Sequence, residues 1–87
     1  MTYLLARQRV ADFATWKRVF DAHAAAQEAA GLRVVHVVRN LDDPNDVFAW
    51  FDVTDLQAAR AFVSSPDVPE ARRQSGVIGV PDLHFLS

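Results

Sequence analysis

Residues 12–30, DFATWKRVFDAHAAAQEAA, contain the pattern that decides the fold. Five of their side chains recur at steps of three and four, and this spacing places them on one face of an amphipathic helix. They are Phe13, Trp16, Phe20, His23 and Gln27. The first three are bulky and apolar, whereas the last two are polar. The pattern predicts one continuous helix whose polar end either lies in water or lines a cavity beneath the helix.

The two ends of this predicted helix carry suitable capping residues. Asp12 precedes the first apolar position, where its carboxylate can accept hydrogen bonds from the free N–H groups of the first turn. Gly31 follows the alanine-rich second half, and glycine adopts the left-handed conformation of a helix C-terminus at little cost. The helix is therefore predicted to begin after Asp12 and to end at Gly31.

Three segments next to this helix have the composition of β-strands. They are Tyr3–Arg9, Leu32–Asn40 and Val47–Val53. Residues 41–46, LDDPND, have the composition of a turn, so the second and third strands are predicted to form a hairpin. Strict alternation assigns one face of the second strand to Leu32, Val34, His36 and Val38.

The second half of the chain repeats the pattern of a helix followed by a strand. Thr54 and Gln57 match a capping box with Thr54 as the N-cap, and this box opens a helix over Asp55–Ser64. Three further segments are predicted: a short helix from Asp67 to Gln74, a loop over Val77–Pro81 whose apolar residues tuck against the protein, and a last strand over Asp82–Leu86.

The resulting order, β-α-β-β-α-(α)-β, predicts an α+β fold of the ferredoxin-like type over residues 1–87. In this fold a four-stranded antiparallel sheet has its helices on one face. The second and third strands, however, are apolar on both faces, which requires cover on both sides. A second copy of the same sheet is the simplest cover, so a homodimer with its sheets face to face is predicted.

Composition limits the classes of function. The chain has 87 residues, of which 51% are hydrophobic, and a formal net charge of −2, so a single domain is expected and nucleic acid and anionic membranes are not expected partners. It has no cysteine, which excludes disulfides, thiolate metal sites and thiol catalysis. The first ten residues do not resemble a signal peptide and no stretch is long enough to span a bilayer, so a cytoplasmic location is expected.

Four motifs resemble those of the dimeric α+β barrel superfamily, which includes antibiotic biosynthesis monooxygenase-like and small polyketide cyclase-like proteins. They are V-x-D-F-x-x-W-K-x-x-F-D-x-H at Val10–His23, R-N-x-D-D-P-N at Arg39–Asn45, D-L-x-x-A-R-x-F at Asp55–Phe62, and S-P-D with G-V-x-G-x-P at Ser65–Asp67 and Gly76–Pro81. The resemblance covers nearly the whole chain and points to a largely uncharacterised bacterial branch.

The resemblance implies a homodimer with a pocket in each subunit between the sheet and the helices. It implies chemistry on a small aromatic or polyketide-like molecule, often with no metal or organic cofactor, and we expect none here. Some relatives degrade haem with an Asn, Trp and His set, but the first strand here has no asparagine, so this pattern does not carry over.

His23 is the first catalytic candidate, because an imidazole at the inward end of the helix stripe could act as a general base. The alternative is a capping or structural histidine bonded to a neighbouring backbone group or carboxylate. The candidates for substrate binding are Trp16, Phe20, Trp50, His84 and His36. The three histidines lack the close spacing of a metal site, so no metal is expected. Two other functions stay open, a non-catalytic small-molecule binder and a structural homodimer.

Overall fold

The structure, a computed structural model that describes residues 1–87, contains four strands and four short helices. In chain order these are β1 (Thr2–Val10), α1 (Phe13–Ala22), α2 (Ala24–Ala29), β2 (Leu32–Asn40), β3 (Asp43–Val53), α3 (Leu56–Val63), α4 (Val68–Gln74) and β4 (Val77–Leu86). The strands form one antiparallel sheet in the order β2-β3-β1-β4. The predicted ferredoxin-like α+β fold is thereby confirmed. None of the helices is long and apolar enough to cross a membrane.

The core lies between one face of the sheet and the helices. Leu4 and Ala6 of β1 pair with Phe51 and Ala49 of β3, and all four are buried. Trp16 of α1 is 2% exposed and packs with Val10 and Val47 in a second cluster of the core. We call this side of the sheet the helix face. The opposite side, which no helix covers, is called the open face.

The two ends of the long helical segment are as predicted. The Asp12 carboxylate accepts from the Thr15 N–H at 3.0 Å, as an N-cap does. Gly31 has a φ of 79°, the left-handed conformation expected after a helix. Gly31 also lies against Asp55 at the start of α3, so the end of α2 and the start of α3 meet at this residue.

The prediction of one continuous helix over Asp12–Ala30 is wrong at His23. In an unbroken helix the Val19 carbonyl would accept from the His23 N–H four residues later. Here the His23 side chain takes that carbonyl, with Nδ1 and the Val19 oxygen 2.8 Å apart. The His23 N–H bonds instead to the Phe20 carbonyl at 3.1 Å. A side chain that competes with the backbone has thus divided the segment into α1 and α2.

The predicted alternation of β2 is also wrong, because the strand contains a bulge. Val34 pairs with Phe51, whereas His36 pairs with Trp50, so Val35 is an extra residue on β2. Phe51 and Trp50 lie on opposite faces of β3, and their partners must do the same. Val34 therefore lies on the helix face and His36 on the open face.

The hairpin between β2 and β3 is tighter than predicted. Residues 41–46 were expected to form the turn, but β3 begins at Asp43, which pairs with Asn40. The Asn40 side chain accepts from the Asp42 N–H at 2.9 Å and stabilises the short turn. Pro44 fits in the strand because pairing with β1 begins only at Asp46, so its missing N–H leaves no ladder bond unmade.

Two helix starts differ from the prediction. Asp55 rather than Thr54 is the N-cap of α3, and its carboxylate accepts from the Ala58 N–H at 3.0 Å. A carboxylate one residue nearer the first turn reaches the same free N–H groups. Asp67 precedes α4 but makes no capping bond. Leu56 in the first turn of α3 is 39% exposed.

Residues 77–81, predicted as a loop, belong to β4. Val77 pairs with Val10 and Ile78 with Arg9, and a bulge then shifts the register before Asp82 meets Arg7. Gly79 lies in this bulge with a φ of 74°. The expectation that the apolar residues tuck inward holds for Val77, which packs against the core, whereas Ile78 and Val80 are 56% and 90% exposed. Residues 77–81 are a strand because they pair with β1, and their local composition did not indicate this pairing.

Candidate functional site

A cleft of about 140 Å³ lies between the helix face of the sheet and the four helices. Most of its lining is apolar and comes from all four strands and from α1, α3 and α4. Its polar members are Gln8, His23, Gln27, Arg72 and Ser75. No aspartate or glutamate lines it, so any acidic group in the cleft would have to come from a ligand.

Aromatic side chains form one wall of the cleft. The rings of Trp16 and Phe20 stack with centroids 4.7 Å apart, and Phe20 contacts Phe51 at 6.0 Å. Aromatic pairs in this distance range stabilise their own packing and present a flat apolar surface. Trp16 and Phe20, both substrate-binding candidates from the sequence, therefore lie together in the cleft.

His23 lies at the mouth of the cleft, where its side chain is exposed. A carbonyl oxygen can only accept a hydrogen bond, so the 2.8 Å contact with the Val19 carbonyl requires the proton on Nδ1. The neutral imidazole then carries a free lone pair on Nε2. This nitrogen makes no hydrogen bond within the protein and is free to accept a proton, as a general base requires.

Gln27 lies deeper in the same cleft. Its side chain is 8% exposed, and its Oε1 accepts no hydrogen bond. A buried oxygen without a donor costs roughly 1–3 kcal/mol of stability. The sequence placed Gln27 at the polar end of the helix stripe and left open whether that end lay in water or lined a cavity. In the structure Gln27 lines the cavity.

Arg72 of α4 is a site residue that the sequence did not indicate. Arg72 lines the cleft, is half-buried, and makes no ion pair or side-chain hydrogen bond. Burial lowers the pKa of this guanidinium, although arginine stays protonated in proteins. No local pattern distinguishes Arg72 from Arg73 beside it, because only the position of α4 over the sheet directs one of them into the cleft.

Trp50, His36 and His84 lie elsewhere. They belong to the open face, where they form a row across the sheet through the pairs His36 with Trp50, Trp50 with Leu5, and Leu5 with His84. The sheet itself separates them from His23. The structure therefore brings together three of the six candidates from the sequence. No group of three or more His, Asp or Glu side chains is close enough to hold a metal ion.

The open face also carries a partly buried ion pair near the start of β3. Arg7 donates two hydrogen bonds of 3.0 Å to Asp46, whose side chain is 6% exposed, and Asn40 donates a third at 3.2 Å. The Arg7 hydrogen bonds hold the pKa of the Asp46 carboxyl below its ordinary value. With both partners satisfied, this pair is a structural element and not a free acid for catalysis.

Solved structures share this architecture. A candidate antibiotic biosynthesis monooxygenase from Bordetella bronchiseptica superposes with a TM-score of 0.79 at 17% identity, covering 99% of this chain and 94% of the other. SnoaB of Streptomyces nogalater, described as a cofactor-independent oxygenase and solved as a point mutant, has a TM-score of 0.72 at 20% identity, with coverage of 99% and 90%.

A further candidate antibiotic biosynthesis monooxygenase, from Caulobacter crescentus, has a TM-score of 0.72 at 19% identity, with coverage of 98% and 86%. No protein-family model matches the sequence, and no curated protein does. At these identities the likeness speaks for the fold, and it agrees with the resemblance found in the sequence motifs. The chain thus has the ferredoxin-like α+β fold of the antibiotic biosynthesis monooxygenase-like proteins.

Proposed function

We propose that this protein is a small-molecule enzyme of the cofactor-independent oxygenase or cyclase type, acting on an aromatic substrate in the cleft. The observation that carries the proposal is His23. Its Nδ1–H is held by the Val19 carbonyl, which leaves Nε2 free as a base at the mouth of an apolar, aromatic-walled cleft. The fold shared with SnoaB, described as a cofactor-independent oxygenase, supports the same class of reaction.

The proposed chemistry begins with removal of a proton by His23 Nε2. The proton comes from a phenolic hydroxyl or from a methylene group between activating substituents, and a delocalised anion remains. With dioxygen as the oxidant, one methylene group and one dioxygen molecule give one carbonyl group and one water molecule. One oxygen atom forms the new carbonyl, the other leaves as water with the two methylene hydrogens, and the substrate supplies all the electrons. When an internal carbonyl captures the anion instead, a carbon–carbon bond closes a ring and His23 returns its proton to the new alkoxide.

Replacement of His23 tests this role. His23→Ala and His23→Asn are both expected to lower kcat by about 100-fold or more, because each removes the base. The asparagine amide can still donate to the Val19 carbonyl, so His23→Asn should keep the fold of the α1–α2 junction. Turnover is measured as oxygen uptake and product formation with a panel of hydroxylated aromatic and polyketide-like compounds.

Two controls separate chemistry from structure. Added imidazole should restore part of the turnover of His23→Ala, since His23 is exposed at the mouth and the vacated site is open to a small base. Glu28→Ala, at an exposed position of α2 outside the cleft, should turn over normally. Full activity of His23→Asn would contradict the proposed role. Compounds that raise thermal stability without being consumed would favour a non-catalytic binding protein instead.

We further propose that two copies associate through their open faces. Val35 and Val38 of β2 and Leu86 of β4 are 42%, 54% and 39% exposed, and Val38 lies on the uncovered side beside Phe48. Apolar side chains on an uncovered sheet face are typical of an interface. Light scattering should give twice the chain mass of 9.7 kDa at micromolar concentration.

The association is tested with Val38→Glu, which should raise the dimer Kd at least about tenfold, because a buried unpaired charge is costly. Ala25→Glu, on the exposed outer side of α2, is the matched control and should leave the dimer intact. A monomer in the unmodified protein at micromolar concentration would contradict face-to-face association.

A further inference from the structure

Two polar groups in the cleft have no partner within the protein. Gln27 Oε1 is buried without a hydrogen-bond donor, and the half-buried Arg72 makes no side-chain hydrogen bond and no ion pair. Buried polar groups are paired in most proteins, so an unpaired acceptor and an unpaired cation in one cleft call for an outside partner. The adjacent Arg73, by contrast, pairs with Glu70 on the same helix.

The charge of the lining indicates the chemistry of that partner. Arg72 contributes a positive charge, and no acidic side chain lines the cleft. Most of the lining is aromatic or aliphatic, so the charge of Arg72 is screened less here than at the surface. An anionic group would satisfy the guanidinium, and a hydroxyl or N–H would satisfy the Gln27 oxygen.

The volume of the cleft limits the size of the ligand that it can enclose. An engineered cavity of about 150 Å³ admits one benzene molecule. The cleft here has a volume of about 140 Å³ and a wall made by Trp16 and Phe20. One aromatic ring therefore fits between sheet and helices, whereas a fused polycyclic molecule would have to project past His23 into solvent.

We propose that the cleft takes a single-ring aromatic acid that carries a hydroxyl group, with its carboxylate paired to Arg72 and its hydroxyl donating to Gln27 Oε1. The inference rests on the proposed function for the identity of the site, and it narrows the substrate class from aromatic molecules in general to monocyclic hydroxy acids. Arg72 and Gln27 are then specificity-determining residues, one for charge and one for the hydroxyl donor.

Binding without turnover tests this class directly. The probes are 2-, 3- and 4-hydroxybenzoate, which place the hydroxyl at three distances from the carboxylate, together with the matching hydroxybenzamides and benzoate. Titration calorimetry should show at least one hydroxybenzoate binding with a Kd about tenfold or more below that of its neutral amide and of benzoate. Equal binding of acids and amides, or no binding by any of the three acids, would overturn the proposal.

Variants assign the two contacts. Arg72→Gln keeps a polar side chain without charge and should abolish the preference for acid over amide, whereas Arg73→Gln, the neighbouring arginine that does not line the cleft, should preserve it. Gln27→Leu should abolish the preference for hydroxybenzoate over benzoate and raise Tm, because it replaces an unpaired buried oxygen with an apolar group of similar size. Gln57→Leu, at an exposed position of α3, is its control.

The outcomes distinguish this inference from the proposed function. If hydroxybenzoates bind as described but no compound is turned over by any form of the protein, the proposed ligand class is supported and the enzymatic role is rejected. If neutral aromatic compounds are turned over in a His23-dependent reaction with no preference for acids, the enzymatic role is supported and the proposed ligand class is rejected. An unchanged preference in both Arg72→Gln and Gln27→Leu would also reject the assigned contacts.

Discussion

Gly31→Ala is expected to lower the free energy of unfolding by about 3 kcal/mol or more. Gly31 has a φ of 79°, which costs a residue with a side chain roughly 1–2 kcal/mol. A Cβ here would also lie 2.8 Å from the Asp55 nitrogen and 2.9 Å from the Asp55 Cβ, which is closer than such atoms approach. Asp55 caps α3, so the clash cannot be relieved without moving the start of that helix.

Gly79→Ala is the matched control for this prediction. Gly79 has a similar φ of 74°, but a Cβ there would meet no atom within 4 Å. Its replacement should cost only the conformational part, about 1–2 kcal/mol. Urea denaturation of the two variants measures the difference, which reports the steric contact with Asp55. Equal losses in the two variants would contradict the close approach at Gly31.

Trp16→Ala is expected to cost about 3–5 kcal/mol, the usual range for removing a buried tryptophan. Trp16 is 2% exposed, stacks on Phe20 at 4.7 Å and contacts Phe13 at 5.8 Å. Removal of the indole leaves a cavity that rigid neighbours fill only in part. Because small domains have only about 5–15 kcal/mol of stability in total, the variant should be partly unfolded at 37 °C.

Trp16→Phe provides the comparison for the same site. A phenyl ring keeps the stack on Phe20 and should restore about half of the lost stability, as measured by urea denaturation. Trp16 also lines the cleft, so Trp16→Ala should weaken the binding of aromatic probes in whatever fraction stays folded. A loss below about 1 kcal/mol for Trp16→Ala would show that the indole is not part of the core.

The features that depend on the periodic spacing of apolar residues were predicted correctly. The spacing of Phe13, Trp16 and Phe20 predicted both the helix and its buried face, and all three pack in the structure. Those contacts follow from helical geometry alone, since residues three and four apart share a face. Asp12 and Gly31 were identified correctly for a related reason, because a cap depends on atoms within one turn.

The candidate site was predicted in part, and the three residues that were wrongly assigned to it share one physical cause. His23, Trp16 and Phe20 lie on one helical segment, so their proximity was readable from spacing. Trp50, His36 and His84 lie on three different strands, and a strand presents alternate residues to opposite faces. Which face meets the helices depends on register, and one bulge at Val35 moved His36 to the other side.

The sequence by itself determined the order of elements, the ferredoxin-like class and the apolar stripe of the first helix, because each depends on local periodicity and capping. Only the tertiary structure decided that His23 breaks this helix, that Val77–Pro81 is a strand and that Arg72 enters the cleft. The strand at Val77–Pro81 and the place of Arg72 depend on partners that are distant along the chain, so the residues next to them do not encode them. The break at His23 is local, because its side chain competes with the backbone for the Val19 carbonyl four residues earlier, but helical periodicity does not show which of the two bonds forms.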